Sequence, residues 1–119
     1  MPRVKTDIQL RLRLKCGDQV VIGPGKIALL EAIGTSGSIS AAARALGMSY
    51  RRAWLLVDEM NRGLVSPVIR ATTGGTRGGG ATLTDVALQI IERYRAVQAT
   101  ALVAAADDLS ALLQLVAER

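Results

Sequence analysis

Residues 37–49 constrain the fold of this chain more than any other part of its sequence. Ser38 is a favourable N-cap for an alanine-rich helix with a narrow apolar stripe, and the helix before it is expected to end at Gly34. Gly47 is placed to adopt the left-handed conformation that ends the alanine-rich helix, and Ser49 can cap a second helix only two residues later. Because so short a turn makes two helices cross at a steep angle, the stretch predicts a helix-turn-helix arrangement.

The second helix is predicted to begin at Tyr50, and its first turn carries Arg51 and Arg52. At about 100° per residue, these arginines and Leu55 share an exposed face, whereas Trp54 falls on the core side. In helix-turn-helix proteins the start of the second helix enters the major groove. There arginine contacts guanine or phosphate, and an apolar side chain packs on a thymine methyl group. Two arginines on a helix are usually only solvated, but after this turn the pattern favours DNA contact.

A glycine-rich segment follows the second helix. The pattern predicts short strands over residues 67–73 and 81–83, joined by a loop that contains Thr76 and Arg77. A strand, a loop and a strand at this place are typical of a wing, in which glycines let the backbone approach a phosphate or a narrow groove. We therefore assign Thr76 and Arg77, with Arg70 at the base, to DNA contact. A merely mobile loop is the alternative.

The N-terminal part of the sequence predicts a β-hairpin. Apolar and polar residues alternate strictly over 8–16, which indicates a half-buried strand. The pair Gly17-Asp18 is a two-residue turn, so we expect the hairpin to cover residues 7–22. Cys16 is the last apolar position of the first strand and is predicted to lie in the core.

The last part of the sequence predicts one long helix. Thr84-Asp85 is a favourable start, and no glycine or proline interrupts the chain from there to Arg119. Such a helix is longer than the domain is wide, so its apolar seam stays uncovered unless a twin helix packs on it. The seam residues assigned to dimerisation are Leu102, Ala105, Leu109, Leu112 and Val116. The alternative is a break near Thr100, after which the helix folds back on its own body.

Composition and charge narrow the classes of function. The 119 residues include no histidine and one cysteine, which removes histidine-based catalysis, zinc sites that need an imidazole and an internal disulfide. We expect no enzyme activity, no metal and no cofactor. No signal segment or long uncharged apolar stretch is evident, so we expect a cytoplasmic protein without membrane contact. Residues 1–83 carry a formal charge of +7 and residues 84–119 carry −2, and a basic body is typical of proteins that bind a polyanion.

Together these segments predict a mostly α fold with a small β component. The predicted class is a winged helix-turn-helix with an N-terminal β-hairpin and a long C-terminal dimerisation helix, in one domain over residues 1–119. The hairpin is assigned to residues 7–22, the helix-turn-helix and wing to 24–84, and the C-terminal helix to 85–119.

Several runs of residues resemble known families of regulators. The run from Gly37 to Ala43, together with Leu83-Thr84, is similar to the N-terminal domain of LysR-type regulators. A narrower likeness, over about residues 25–98, is to the DNA-binding domain of the molybdate-responsive ModE family. It rests on the runs Ser49-Tyr50-Arg51-Arg52-Ala53-Trp54, Glu59-Met60-Asn61 and Gly79-Gly80-Ala81-Thr82-Leu83-Thr84.

The resemblance implies a transcription regulator that binds a pseudo-palindromic operator as a homodimer, with subunit contacts through the N-terminal strands and the last helix. It places residues 49–52 at the groove end of the recognition helix and Arg77 in the wing. Family members carry a C-terminal oxyanion-sensing part without a counterpart in this sequence, so we transfer no molybdate sensing and leave the effector open. The alternative function is a protein-interaction module that has lost DNA binding. All residues assigned to DNA contact are Ser38, Ser49, Tyr50, Arg51, Arg52, Leu55, Arg70, Thr76 and Arg77.

Overall fold

The computed structural model describes residues 6–72 and 80–117. Its elements, in chain order, are β1 (Leu14–Cys16), β2 (Gln19–Ile22), α1 (Pro24–Ser36), α2 (Ile39–Ala45), α3 (Tyr50–Gly63), β3 (Ile69–Thr72), β4 (Gly80–Leu83), α4 (Asp85–Ala104) and α5 (Ala106–Gln114). Strands β1 and β2 form one antiparallel sheet, and strands β3 and β4 form a second.

The predicted fold class is wrong as stated. A winged helix-turn-helix with a hairpin over residues 7–22 and a single helix over 85–119 does not describe the structure. The described residues instead form five helices and two separate two-stranded antiparallel sheets. The largest departures are at the two ends of the chain, where the hairpin is shorter than predicted and the last helix is divided.

The N-terminal segment before β1 packs along α4 and is not part of a sheet. Residues 6–13 form no strand, because β2 has only four residues and offers them no neighbour. Two of their carbonyl groups accept hydrogen bonds from side chains of α4. Tyr94 Oη donates to the Leu12 carbonyl at 2.9 Å, and Gln98 Nε2 donates to the Leu10 carbonyl at 3.0 Å. The alternating pattern therefore marks half-buried residues without marking a paired strand.

The β1–β2 hairpin turns at Gly17, whose φ of 63° confirms the predicted turn. Every residue of β1 is exposed. Cys16 is therefore exposed as well, and the prediction that it lies in the core is wrong. Alternation of apolar and polar residues predicts a buried face only where another element covers one side of the strand. Within the described part of the chain, neither side of β1 is covered.

Helices α1, α2 and α3 pack around one apolar core. Leu29, Leu30 and Ile33 of α1 are fully buried, and α2 adds the small side chains of Ala42 and Ala43, which allow close helix contact. Helix α3 contributes an apolar stripe at helical spacing, and β4 and the start of α4 close the core. The remaining buried residues of this cluster are Ile39, Ala53, Leu56, Val57, Met60, Val68, Ala81 and Ala87.

Strand β4 lies directly against the end of α1. A Cβ at Gly34 would lie 2.9 Å from Leu83 Cδ1, and a Cβ at Gly80 would lie 2.9 Å from the Gly37 carbonyl oxygen. The Ala81 N–H donates to the same carbonyl at 2.8 Å. The prediction that Gly34 ends α1 is wrong. The helix continues to its left-handed C-cap at Gly37, and the glycine inside it makes room for β4.

The predicted long C-terminal helix is two helices, α4 and α5, bent by 66° at Ala105. The break lies beyond Thr100, and α5 does not fold back on the body, because none of its described side chains is buried. Asp107 and Asp108 lie in its first turn, where carboxylates interact favourably with the helix dipole. Within residues 6–72 and 80–117, no single helix is long and apolar enough to cross a membrane. Only α4 and α5 together, across their bend, have the length and composition.

An ion pair joins α4 to α1. Arg95 donates to both carboxylate oxygens of Glu31, through Nε at 3.1 Å and through Nη2. The hydrogen bond to Glu31 raises the pKa of the Arg95 guanidinium above its ordinary value. Because the pKa of Arg95 is raised, the guanidinium is fully charged at physiological pH and the ion pair contributes its full stabilisation there. That stabilisation is lost only as the pH rises through the raised pKa, far above the physiological range. Both side chains are partly exposed, which limits the contribution to about 1 kcal/mol or less.

Candidate nucleic-acid interface

The turn between α2 and α3 has the local geometry that the sequence predicted. Ser38 Oγ accepts from the Ala41 N–H at 3.0 Å, and Ser49 Oγ accepts from the Arg52 N–H at 3.0 Å, which confirms both serines as N-caps. Gly47 has φ of 67°, so it ends α2 in the left-handed region. These short-range contacts set where α3 begins and present its first turn at the surface.

The first turn of α3 is a positively charged surface. Arg51 and Arg52 are exposed, and Leu55 beside them is 50% exposed, as the helical pattern predicted. This turn, all of it described, contains no acidic residue, and the N-terminus of a helix carries a partial positive charge. The arrangement attracts anions such as phosphate.

Trp54 does not lie in the core, and the prediction that it does is wrong. Its side chain is 43% exposed, and the ring packs edge to face on Tyr50, with 6.4 Å between the ring centroids. The buried stripe of α3 runs through Ala53, Val57 and Met60, one position round the helix from Trp54. The tryptophan therefore stands at the border between the core and the positively charged face.

Tyr50 and Trp54 form one wall of a groove of about 300 Å³, which we call the aromatic groove. The second wall is formed by strands β3 and β4, and the end of the groove by the start of α2. The side chains on these walls are Ser38, Ile39, Ser40, Tyr50, Trp54, Ile69, Ala71, Thr72 and Ala81, with Gly80 beside them. Two residues assigned to DNA contact, Ser38 and Tyr50, thus meet at one groove.

Of the remaining residues assigned to DNA contact, the structure describes one, which lies on β3. Arg70 is an exposed residue of β3, where it pairs with Thr82 of β4. Thr76 and Arg77 lie outside the described residues. The predicted strands on either side are present, with β3 and β4 in regular antiparallel register.

A buried lysine holds the other side of α3. The Lys26 side chain is only 7% exposed; its ammonium donates to the Val20 carbonyl and lies 3.7 Å from a carboxylate oxygen of Glu59 on α3. Gln19 Nε2 donates to the other oxygen of Glu59 at 2.8 Å. These contacts fix α3 against α1 and the β1–β2 hairpin. They were not predicted from the sequence, because Lys26 follows a Gly-Pro-Gly break and resembles an ordinary surface lysine.

The residues assigned to dimerisation do not form one straight seam. Leu102 lies on α4, Ala105 at the bend, Leu109 and Leu112 on α5, and Val116 beyond its end. Leu112 and Val116 are more than half exposed. Separately, the N-terminal segment, the end of α3 and residues 86–97 of α4 line an apolar cavity of about 430 Å³.

In the part of the chain that the structure describes, neither the cysteine nor the carboxylates gather into a metal site. Among the described residues, no three Cys, Asp or Glu side chains are close enough to hold a metal ion together. The adjacent carboxylates Asp58 and Glu59 do not converge either. Asp58 pairs with Arg62 at 3.0 Å, whereas Glu59 faces Lys26.

Comparison with known proteins relates this chain to molybdenum-linked proteins. It is 50% identical over 78 residues to "Molybdenum-pterin-binding protein MopB" of Rhodobacter capsulatus, across 66% of this chain and 29% of that protein. It is 38% identical over 88 residues to "Molybdenum transport protein ModE" of Azotobacter vinelandii (74% and 33%). It is also 38% identical over 86 residues to "DNA-binding transcriptional dual regulator ModE" of Escherichia coli K12 (72% and 33%).

The chain thus spans about a third of the length of these relatives, and no protein-family model matches it. The names of these relatives are those of binding, transport and regulatory proteins, and none of them names an enzyme. Over about 70% of its own length, the chain is therefore a homologue of the ModE and Mop proteins, as its resemblance to the ModE-like family predicted.

Proposed function

We propose that this chain is a transcription regulator that binds duplex DNA through the start of α3. The observation that carries the proposal is the surface there, where Arg51 and Arg52 are exposed at a helix N-terminus. An exposed positive helix end of this kind fits the major groove of DNA. The name of the Escherichia coli relative, which includes DNA binding and transcription, supports the same function.

In this proposal the exposed residues of α3 divide into two kinds of contact. Arg51 and Arg52 bind guanine edges or phosphates, and Leu55 packs on a thymine methyl group. Ser49 and Tyr50, at the very start of the helix, lie against the adjacent backbone. The N-cap hydrogen bond of Ser49 already uses its oxygen as an acceptor, which leaves its hydroxyl hydrogen free to donate to a phosphate.

The β3–β4 sheet supplies backbone contacts on one side of α3. Arg70 is exposed on β3, and Thr76 and Arg77 are proposed to bind phosphate or the minor groove. Ser38, at the start of α2, is proposed to bind phosphate as well. Contacts of this kind position a protein on DNA without reading its sequence.

We further propose that residues 1–119 act as one domain that pairs with a second copy on a pseudo-palindromic operator. Helix α5 supports this, because it has nine residues and none of its described side chains is buried. Isolated helices of that length are marginal in water, so α5 needs another surface to pack on. The exposed apolar side chains of α5 and the apolar cavity beside α4 are surfaces that a second copy covers.

Selection of bound duplexes from a random oligonucleotide pool, with the full chain, tests this function. We expect enrichment of a pseudo-palindrome with half-site centres about 10 base pairs apart, or a multiple of that distance. The affinity for the enriched duplex is expected to fall steeply as the salt concentration rises. A pool that remains random after repeated rounds at low salt would contradict DNA binding and favour the protein-interaction module.

Replacing Leu112 with aspartate tests the dimer. We expect the variant to raise the dimer dissociation constant at least about 100-fold in sedimentation equilibrium, because the charge must be buried at an apolar interface in both copies. Ser110→Asp is the matched control, since it adds the same charge to an exposed position of the same helix. A monomeric unmodified chain at micromolar concentration, or equal effects of the two variants, would contradict dimerisation through α5.

A further inference from the structure

Two of the three aromatic residues of this chain are exposed at one place. The sequence contains one tryptophan, two tyrosines and no phenylalanine. Tyr94 is buried, but Trp54 and Tyr50 are 43% and 54% exposed and pack on each other in the aromatic groove. Aromatic side chains left open to solvent in a cluster are typical of a binding surface.

The aromatic groove is lined by apolar side chains and by a few hydroxyl groups. Among the described residues that line it, none is charged. Ser38 and Ser40 lie at the end of the groove that the start of α2 forms. Ser38 Oγ accepts from the Ala41 N–H and Ser40 Oγ accepts from Arg44, so both hydroxyl hydrogens remain available to donate to a ligand.

Two cationic side chains lie beside the groove. Arg44 reaches its end through the 3.3 Å hydrogen bond to Ser40, and Arg51 is next to Tyr50. Arg70 alternates with the lining residues Ile69 and Ala71 along β3 and so lies on the other face of the sheet. One turn beyond Trp54, Asp58 is paired with Arg62. A ligand that suits this groove therefore has apolar faces and several negative charges.

We propose that the aromatic groove holds one sugar–phosphate strand of duplex DNA, with the Trp54 ring against a deoxyribose and the hydroxyl groups of Ser38 and Ser40 donating to phosphates. A nucleic-acid strand alternates apolar sugar faces with phosphates, which matches the aromatic wall, the hydroxyl groups and the two arginines beside the groove. The groove also adjoins the first turn of α3, so the strand continues from the bases that Arg51 contacts. The inference rests on the proposed function and adds Trp54 and Ser40 to the DNA-contacting residues.

Because Trp54 is the only tryptophan, its fluorescence tests the proposal in the unmodified chain. The probe is the duplex enriched from the random pool, and acrylamide measures how accessible the ring is. We expect saturating duplex to lower the acrylamide quenching constant at least about twofold, because contact excludes solvent from the ring. Poly-L-glutamate, a polyanion without sugars, is the control and is expected to leave the quenching constant unchanged.

Two variants separate contact from a structural role. We expect Trp54→Ala to weaken duplex binding about tenfold and Trp54→Phe to keep most of the affinity, since the flat ring provides the contact. The tenfold loss is expected to be the same for the enriched duplex and for a scrambled one, because backbone contacts carry no sequence information. The thermal unfolding midpoint of both variants, measured by circular dichroism, is expected to stay near that of the parent chain.

The outcomes distinguish this inference from the function on which it rests. If the chain binds duplex DNA while the accessibility of Trp54 stays unchanged, the groove does not hold a DNA strand and the proposed function stands. Equal shielding by poly-L-glutamate would also overturn the inference, since charge alone would then explain it. If no duplex binds under any salt condition, both the inference and the proposed function are wrong.

Discussion

The double variant Arg51→Ala/Arg52→Ala is expected to lose at least about 100-fold in affinity for the enriched duplex at 0.15 M salt. Each good arginine contact to a base edge is worth about 1–3 kcal/mol, and the two lie side by side in the first turn of α3. The slope of log affinity against log salt concentration is expected to fall by about 0.9 for each phosphate contact that is lost. Fluorescence anisotropy of labelled duplex measures both quantities.

The control is the double variant Arg62→Ala/Arg93→Ala, which removes the same charge. Arg62 lies at the far end of α3 and Arg93 is on α4, and both are exposed. Alanine and arginine are both good helix formers, so each pair of substitutions leaves the helices intact. Similar losses for the two double variants would show that only net charge matters, and would contradict a binding surface at the start of α3.

Leu30→Ala is expected to lower the free energy of unfolding by about 3 kcal/mol, within the range of 2–5 found for buried leucines. Leu30 is fully buried in the middle of α1, so its truncation leaves a cavity where α1 meets the other core helices. Urea unfolding monitored by circular dichroism measures the loss. The corresponding decrease in the thermal midpoint is roughly 12 °C for a chain of this size.

Leu88→Ala makes the matched comparison for Leu30→Ala. Leu88 is 53% exposed on α4, so the same truncation removes few contacts and is expected to cost less than about 1 kcal/mol. A cost for Leu30→Ala as small as that for Leu88→Ala would show that α1 is not at the centre of the core.

Features that depend on neighbouring residues could be predicted from the sequence. The N-caps Ser38 and Ser49 and the left-handed Gly17 and Gly47 all satisfy backbone groups within a few positions. Such signals need no knowledge of the rest of the fold. They place the start of α3, and with it the exposure of Arg51, correctly.

Features that depend on distant parts of the chain could not be predicted in the same way. A helical pattern gives the direction of Trp54 around α3, but whether that direction is covered depends on how far away β3 and β4 lie. The same holds for the N-terminal segment, whose alternating residues lack a partner strand, and for Cys16, which no element covers within the described residues. Alternation and helical spacing indicate which side chains share a face, not what lies opposite that face.

The division of the C-terminal helix has a signal in the sequence. Asp107 and Asp108 interrupt the apolar residues directly after the bend and lie in the first turn of α5. Acidic residues favour helix N-termini, so the pair was evidence for a new helix. Without a glycine or a proline, the continuous helix remained the simpler prediction.

The attachment of β4 to α1 affects how sensitive ligand binding is to temperature and to mutations in the core. The two walls of the aromatic groove belong to different neighbours in the core, because β4 is bound to Gly37 at the end of α1 while the rings are carried by α3. The distance between the two walls is therefore set by core side chains that do not contact a ligand, such as Leu30 where α1 packs on α3. A small shift of α1 relative to α3 would change the width of the aromatic groove while the chain is still folded. We therefore expect ligand affinity to fall at a temperature several degrees below the thermal unfolding midpoint.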